Sequence, residues 1–281
     1  MQSATPSRTA LRVALRRAAH QLYDAQPLVL DDPIAVPILG DTYAEELRRT
    51  PTRPDRPFSV ALRAFLVARS RYAEDALATA VAEGVTQYVL LGAGLDTFAH
   101  RNPYPQLRVF EVDHPATQLW KRDLLQTSSL PQPTNLIYAP VDFERQSLTD
   151  QLHTAGFDSA TPTFFAWLGV VPYLTHQAFR ATIRFVTAQP PGSGLVFDYG
   201  QPREVLPLAE QLAHDSLASR VLLAGESFQI FFTPKQVAAE LAGFHNIEDI
   251  GSAEINARYF SNRTDDLKMR GSAAHIVSAW L

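Results

Sequence analysis

An apolar strand that runs into a tight glycine turn is the feature that most constrains this chain. The segment QYVLLGAGLDT, from Gln87 to Thr97, is followed by a second apolar run, VFEVDHP, which contains Glu111 and Asp113. A Gly-x-Gly turn lets the backbone approach a ligand closely, and the start of the next helix offers free N–H groups. An acid at the end of the next strand can bind two ribose hydroxyls. The two motifs together predict a site for a nucleoside-bearing cofactor.

The glycine pattern also indicates which nucleoside is bound. A dinucleotide fingerprint has a third glycine three places after the second, where helix and strand pack around a pyrophosphate. Here Gly92 and Gly94 are present, but the third place is Thr97 and the residue before it is Asp96, whose charge would repel a pyrophosphate. A sulfonium nucleoside with a zwitterionic amino-acid tail fits better, because its ammonium tolerates the acid. The predicted cofactor is therefore S-adenosylmethionine, with S-adenosylhomocysteine as its product.

Strand-like and helix-like segments alternate along most of the chain, which predicts an α/β fold with a parallel sheet covered on both faces. The predicted strands are 87–92, 108–113, 135–141, 163–168, 195–199, 244–250 and 275–280. The predicted helices are 65–82, 115–125, 144–155, 175–188, 203–224 and 234–242. We expect one domain over 1–281, with an N-terminal helical cap over 1–80, a core over 81–281 and a helical insertion at about 201–233.

Composition excludes several classes of function. No apolar run approaches the roughly 18 residues needed to span a bilayer, so no membrane partner is expected. The net charge of −4 disfavours nucleic acid as a partner and favours a small-molecule acceptor. The chain has no cysteine, which removes disulfides and thiolate metal sites and fits a cytoplasmic location. The histidines are scattered without an HExxH pair, so no metal is expected. The oligomeric state stays open.

The N-terminal segment is rich in arginine. Arg8, Arg12, Arg16 and Arg17 occur without an acid in the first 23 residues, a composition that superficially resembles a transit peptide. Leucine and alanine recur there at helical spacing, and Ser7 can cap the start. We therefore favour an amphipathic helix of the mature fold.

An ordered series of motifs covers nearly the whole chain. It consists of PSRTALRVALRRAAHQL near the start, PLVLDDPIA at 27–35, ARSRYAED at 68–75, LLGAGLDTFAHR at 90–101, FEVDHP at 110–115, VDFE at 141–144, WLGVVPYLT at 167–175 and GLVFDY at 194–199. This series resembles the leucine carboxyl methyltransferase family, and more closely its bacterial branch of S-adenosylmethionine-dependent O-methyltransferases. The resemblance implies a class I methyltransferase (Rossmann-like) fold with a mostly parallel, seven-stranded sheet.

The resemblance also implies where the methionine part of the cofactor binds. Arg69 matches the arginine that pairs with the cofactor carboxylate through two parallel hydrogen bonds, with Arg71 as a rival. The turn against the methionine moiety is formed by Gly92, Ala93, Gly94 and Asp96.

For the nucleoside part, the resemblance assigns the ribose to Asp113. Glu111 lies one alternation back on the same strand, so it either shares that role or is a satisfied buried acid. Asp142 with Phe143 matches the adenine contact, and the alternative for Asp142 is an N-cap of the following helix.

Two positions depart from the family pattern. Leu168 stands where the leucine-specific enzymes have a glutamate, so it lines the predicted site without that acid's contact to the cofactor. Phe98 replaces the usual arginine after the LDT run and is expected to reshape the wall near the methyl group.

The chemistry leaves the acceptor open. Methyl transfer needs mainly near-attack positioning; a carboxylate acceptor needs no base at pH 7, whereas a hydroxyl acceptor benefits from one. Tyr173, Tyr199 and His114 are the candidate catalytic residues: two pocket-lining hydroxyls and one base. Two alternatives to the methyltransferase remain, a non-catalytic S-adenosylmethionine-binding protein of the same fold and, less favoured, an NAD(P)-dependent oxidoreductase.

Overall fold

The computed structural model describes residues 7–49, 57–142, 146–223 and 225–281. Its strands are β1 (Gln87–Leu91), β2 (Arg108–Asp113), β3 (Leu136–Pro140), β4 (Thr163–Trp167), β5 (Gly194–Gly200), β6 (His245–Ile250) and β7 (Ala274–Trp280). They form one seven-stranded sheet in the order β3-β2-β1-β4-β5-β7-β6. Only β7 is antiparallel to its neighbours, β5 and β6. The predicted mostly parallel, Rossmann-like α/β fold is therefore confirmed.

Helices cover both faces of the sheet. They are α1 (Arg8–Tyr23), α2 (Gly40–Arg49), α3 (Pro57–Ala82), α4 (Phe98–Arg101), α5 (Pro115–Thr127), α6 (Leu148–Thr154), α7 (His176–Thr187), α8 (Leu208–Leu222), α9 (Pro234–Glu240) and α10 (Ser252–Tyr259). Among the described residues, no helix combines the length and apolar character required to cross a membrane.

The central strands are apolar because both of their faces are buried. In β1, Tyr88 and Leu90 join the core on one side of the sheet, together with side chains of α3 and α10. Val89 and Leu91 join the core on the other side, with side chains of α6, α7 and α9. Side chains of a strand alternate between faces, so a continuous apolar run is what a two-sided core requires.

The N-terminal helix α1 belongs to the packed structure. Ser7 caps it by accepting a hydrogen bond from the backbone N–H of Ala10 at 3.2 Å. Its small residues Ala14 and Ala18 are buried with Leu95, which follows the glycine turn. The amphipathic helix thus brings its arginines next to the predicted site.

Several helices differ from the sequence prediction; α3, for example, begins at Pro57 and not at residue 65. The segment predicted as one helix over 203–224 is interrupted at Pro207, which has no N–H to continue the helical hydrogen bonds, and α8 starts after it. Helix α6 starts at Leu148 because the Ser147 side chain caps it, accepting from Asp150 N at 3.4 Å. Helix α10 was not predicted; Glu254 supports its start by accepting from Gly251 N at 3.1 Å.

Candidate active site

The glycine turn lies where β1 ends, next to the point where the strand order reverses between β1 and β4. Gly92 and Gly94 both have positive φ, +71° and +50°, which side chains with a Cβ rarely adopt. A Cβ on Gly92 would also lie 2.3 Å from Cγ2 of Val170. The backbone N–H of Gly92 donates to Val112 O at 2.8 Å and so holds the turn over the end of β2. Ligands bind at such reversal points in open α/β sheets.

Two cavities meet at this edge of the sheet. The first cavity, about 310 Å³, is lined by the glycine turn and the ends of β2 and β4. Seven predicted cofactor residues line it, namely Arg69, Gly92, Ala93, Gly94, Asp96, Asp113 and Leu168. The second cavity, about 330 Å³, lies between α1, α3, α8 and the end of β5 and is mainly apolar. The residues that line both cavities, here called the shared wall, are Thr9, Val13, Arg69, Gly169 and Tyr173.

Asp113 connects β2 to the glycine turn. Its Oδ2 accepts from Gly94 N at 2.5 Å and its Oδ1 from His114 N at 2.7 Å. Burial raises the pKa of the Asp113 carboxyl, and these two N–H groups oppose that shift. A carboxylate has about four acceptor positions, so two remain for ligand hydroxyls. This placement fits the predicted ribose contact.

Glu111 lies behind the site and does not line the first cavity. Its side chain is buried and pairs with Lys121 of α5, with 2.6 Å between Oε2 and Nζ. Lys121 Nζ also donates to the backbone carbonyl of Asp96 at 2.6 Å. Of the two alternatives for Glu111, the geometry favours the buried acid, which supports the glycine turn through Lys121. Only its Oε2 is paired, since Oε1 has no hydrogen-bond partner among the described residues.

Asp96 faces the first cavity beside an arginine of α1. Its Oδ1 accepts from Phe98 N at 2.7 Å, and its Oδ2 lies 3.5 Å from Nη1 of Arg17. Burial opposes ionisation, but the charges of Arg17, Arg101 and Lys121 together lower the pKa of Asp96 below its usual value. Asp96 is therefore a carboxylate at neutral pH and can attract a ligand ammonium.

Thr97, at the third position of the fingerprint, belongs to a buried polar network. Its Oγ1 donates to Oδ2 of Asp32 at 2.7 Å, and Arg17 contacts both side chains. Asp32 also lies 3.4 Å from Nε of Arg101. A glycine here would leave these buried polar groups without the hydroxyl that connects them. The network ties α1 to the glycine turn.

His100 of α4 makes the stability of the fold depend on pH. In the described part of the chain neither ring nitrogen has a hydrogen-bond partner, and both are buried. Burial and the charge of Lys121 lower its pKa to about 4, against the opposing charges of Asp96 and Asp32. The folded state thus favours neutral His100, and the unfolded chain protonates it near pH 6.5.

We expect the contribution of His100 to the free energy of unfolding to be fully present above about pH 6.5. It should fall as the pH drops from there toward 4, because in that window only the unfolded state protonates this histidine. Urea unfolding at several pH values measures this loss. His100→Leu should flatten the pH dependence, whereas His153→Leu, which removes an exposed histidine of α6, should not. An unchanged slope in His100→Leu would contradict the assignment.

Arg69 stands between the two cavities. Its Nη1 lies 2.9 Å from Oδ2 of Asp198, whose Oδ1 accepts from Gly169 N at 2.5 Å. Gly169 has φ of +72°, and a Cβ there would lie 2.7 Å from Nη2 of Arg69. Within the described residues, Arg69 donates a hydrogen bond only to Asp198, so its other N–H groups remain for a ligand carboxylate. The rival Arg71 is exposed and pairs with Asp75 at 2.8 Å.

Three residues that the sequence placed at the site are not found among those that line the first cavity. Asp142 follows β3 but does not line that cavity, and its N–H donates to Oε1 of Gln146 at 2.9 Å. Phe143 lies outside the described residues. Phe98 lines neither cavity; it is buried with its ring edge-to-face against Tyr88 at 5.1 Å. The expectation that Phe98 shapes the wall near the methyl group is therefore not met by its position.

The candidate catalytic residues differ in placement. Tyr173 lies on the shared wall, and burial with the nearby charge of Glu226 raises its pKa to about 12. Tyr199 lines only the second cavity, and its hydroxyl donates to Oδ2 of Asp249 at 2.7 Å. His114 lines the first cavity and caps α5, its Nδ1 accepting from Ala116 N at 3.2 Å. Tyr173 is thus the one of the three that reaches both cavities.

The comparisons with known proteins agree with this geometry. The model of the leucine carboxyl methyltransferase family matches residues 10–187. The chain belongs to this family. It is 34% identical to the Bacillus subtilis protein named Putative S-adenosyl-L-methionine-dependent methyltransferase YktD, over 95% of each chain. It is also 34% identical to a Putative S-adenosyl-L-methionine-dependent methyltransferase of Mycobacteroides abscessus, covering 73% of this chain and 68% of the relative.

Solved structures support the fold. A crystal structure of a putative methyltransferase from Thermobifida fusca YX superposes with a TM-score of 0.58 at 16% identity, covering 99% of this chain and 96% of that one. The family match and the curated relatives identify the protein as an S-adenosylmethionine-dependent methyltransferase.

The first cavity suits the donor of this methyltransferase family. If S-adenosylmethionine binds there as expected, Asp113 would accept from the ribose, Asp96 would attract the ammonium and the spare N–H groups of Arg69 would bind the carboxylate. Bound there, S-adenosylmethionine supplies an electrophilic methyl group on sulfur. Among the described residues no cluster of three or more His, Cys, Asp or Glu could hold a metal ion.

Sequence reasoning missed the contribution of α1 to this methyltransferase site. Arg17 and Ala10 line the first cavity, and Arg12 and Arg16 line the second. The signal was present in the acid-free run of arginines, since residues four apart share one face of a helix. Only the packing of α1 determines that this face covers the site.

Proposed function

We propose that the protein transfers the methyl group of S-adenosylmethionine to an oxygen atom of a small-molecule acceptor bound in the second cavity. The observation that carries the proposal is the charge of that cavity. Four arginines line it, Arg12, Arg16, Arg69 and Arg220. Asp198 is the only carboxylate on its wall in the described part of the chain, and it is already paired with Arg69.

This charge favours an oxygen nucleophile over a nitrogen one. An aliphatic amine is an ammonium at neutral pH, so arginines would repel it and it would have to lose a proton before it could attack. A carboxylate is already ionised, and a positive surrounding lowers the pKa of a phenol. Both oxygen acceptors are therefore stabilised in their reactive form.

The dimensions of the second cavity support a small acceptor. Its volume is about 330 Å³, within the range of small-molecule sites, and Leu62, Phe65 and Phe231 give it apolar walls. It meets the first cavity at the shared wall, where acceptor and methyl group can come into line. Holding the two in this way can supply about 7–11 kcal/mol of the barrier reduction.

Tyr173 would act as a hydrogen-bond donor on the shared wall. Its raised pKa of about 12 keeps its hydroxyl protonated at neutral pH, so it is not a base for the acceptor. A carboxylate acceptor then needs no proton transfer. As the new O–C bond forms, the S–C bond breaks and the sulfonium becomes a neutral thioether.

Calorimetry and product analysis test this function. We expect S-adenosylmethionine and S-adenosylhomocysteine to bind and NAD not to bind. Carboxylic acids, phenols and amines are then incubated with methyl-labelled cofactor. Label in base-labile esters or in aryl ethers supports the proposal. Label on nitrogen would overturn it, and cofactor binding without transfer to any acceptor would indicate a non-catalytic binding protein.

A further inference from the structure

The second cavity contains positive charge that no carboxylate of the described chain neutralises. Arg12, Arg16 and Arg220, here called the arginine cluster, all line it. Each donates to a backbone carbonyl: Arg12 to Arg220 O at 2.9 Å, Arg16 to Arg12 O at 2.9 Å and Arg220 to Ser216 O at 3.1 Å. None forms a salt bridge with a described Asp or Glu, although nearby Arg63 does so with Asp24 at 2.6 Å.

Arg16 is the most confined member of the cluster. Its Nε is buried and has no hydrogen-bond partner in the part of the chain that the structure describes. Burial lowers the pKa of its guanidinium, and the positive charges of Arg220, Arg12 and Arg63 lower it further. A partly buried cation surrounded by like charges destabilises the fold until an anion binds and neutralises it.

The arginine cluster lines the second cavity but is not part of the shared wall. None of its three arginines belongs to the shared wall, where the two cavities meet. An anion on the cluster is therefore separate from the atom that accepts the methyl group, which must reach the shared wall. Phe65, Leu217 and Phe228 also line the second cavity and offer apolar contact for the body of the molecule.

We propose that the acceptor is an anionic amphiphile with two polar ends: a carboxylate held by the arginine cluster, chiefly Arg16, and a separate oxygen that receives the methyl group at the shared wall. This inference rests on the proposed function, whose acceptor it describes. His214 also lines the second cavity; its ring lies 5.0 Å from that of Phe231, and its Nδ1 lies 3.7 Å from Oδ1 of Asp215.

Matched ligand pairs test the anion site. Phenylacetate, 3-phenylpropanoate and octanoate are each compared with the corresponding carboxamide by calorimetry, with S-adenosylhomocysteine saturating the protein. We expect at least one carboxylate to bind about 10- to 100-fold more tightly than its amide, the range expected for hydrogen bonds to a charged group. Arg16→Gln should remove this preference, and Arg16→Lys should restore part of it. The matched control is Arg8→Gln, which removes an exposed arginine of α1 that lines neither cavity.

The melting temperature of Arg16→Gln shows whether a lost carboxylate preference comes from lost recognition or from an unfolded protein. Arg16→Gln relieves the repulsion from Arg12 and Arg220, so its melting temperature should equal or exceed that of the wild type. No carboxylate preference in the wild type, or an equal preference in Arg16→Gln, would overturn the inference. Cofactor binding and the position of the label report separately on the proposed function: a carboxylate preference with N-methylated products would refute the O-methyl acceptor and leave the anion site intact.

Discussion

Replacing Lys121 with methionine is expected to destabilise the fold by about 3–5 kcal/mol, the usual cost of removing one partner of a buried ion pair. Lys121 and Glu111 each have about 1% of their side chain exposed; Oε2 of Glu111 pairs with Lys121, and Oε1 has no hydrogen-bond partner among the described residues. Methionine fills much of the space of the lysine stem, so the loss comes from the stranded carboxylate and not from a void. Urea unfolding at pH 7 measures it.

The double variant Lys121→Met/Glu111→Gln separates the charge from the packing. Without the carboxylate there is no buried unpaired charge, so the double variant should recover most of the lost stability. In the single variant, Lys121 no longer opposes the effect of burial, so the pKa of Glu111 should rise further. The loss should therefore shrink as the pH is lowered and Glu111 takes up a proton. A single variant as stable as the wild type at pH 7 would contradict the ion-pair account.

The fold was predictable because its signals are local. The buried run of β1 and the glycines after it follow from side-chain alternation and from φ angles that only glycine adopts readily. Asp113 follows from the same logic, because the carboxyl ends of neighbouring parallel strands meet at one edge. Every one of these inferences uses residues that are adjacent in sequence or one element apart.

The remainder of the site depends on contacts between distant segments. Alternation placed Glu111 and Asp113 on one face of β2, but it could not show that Lys121 of α5 covers Glu111. Tyr199 was expected in the acceptor pocket, and its ring does line the second cavity. Its hydroxyl nevertheless reaches Asp249, because β6 lies beyond β7 at the edge of the sheet. Such pairings are long-range and leave no periodic signal.

Asp113→Asn is expected to weaken S-adenosylmethionine binding by about 10- to 100-fold, equivalent to about 1.5–3 kcal/mol for hydrogen bonds to a charged group. Both carboxylate oxygens already accept from backbone N–H groups, of Gly94 and of His114. An asparagine must turn its NH₂ group toward one of these donors, so the variant also loses one of these two hydrogen bonds. Calorimetry measures the affinity, with Asp123→Asn, an exposed acid of α5, as the matched control.

The pattern of losses identifies which part of the cofactor Asp113 contacts. Because the ribose is present before and after transfer, the affinities for S-adenosylmethionine and S-adenosylhomocysteine should fall equally, and the KM for the cofactor should rise with little change in kcat. As competitive inhibitors, adenosine should lose potency in Asp113→Asn while methionine keeps it, since the carboxylate of methionine is assigned to Arg69 on the shared wall. Equal losses for both fragments would mean that the variant disrupts the turn as a whole, and unchanged potency of adenosine would show that Asp113 does not bind the ribose.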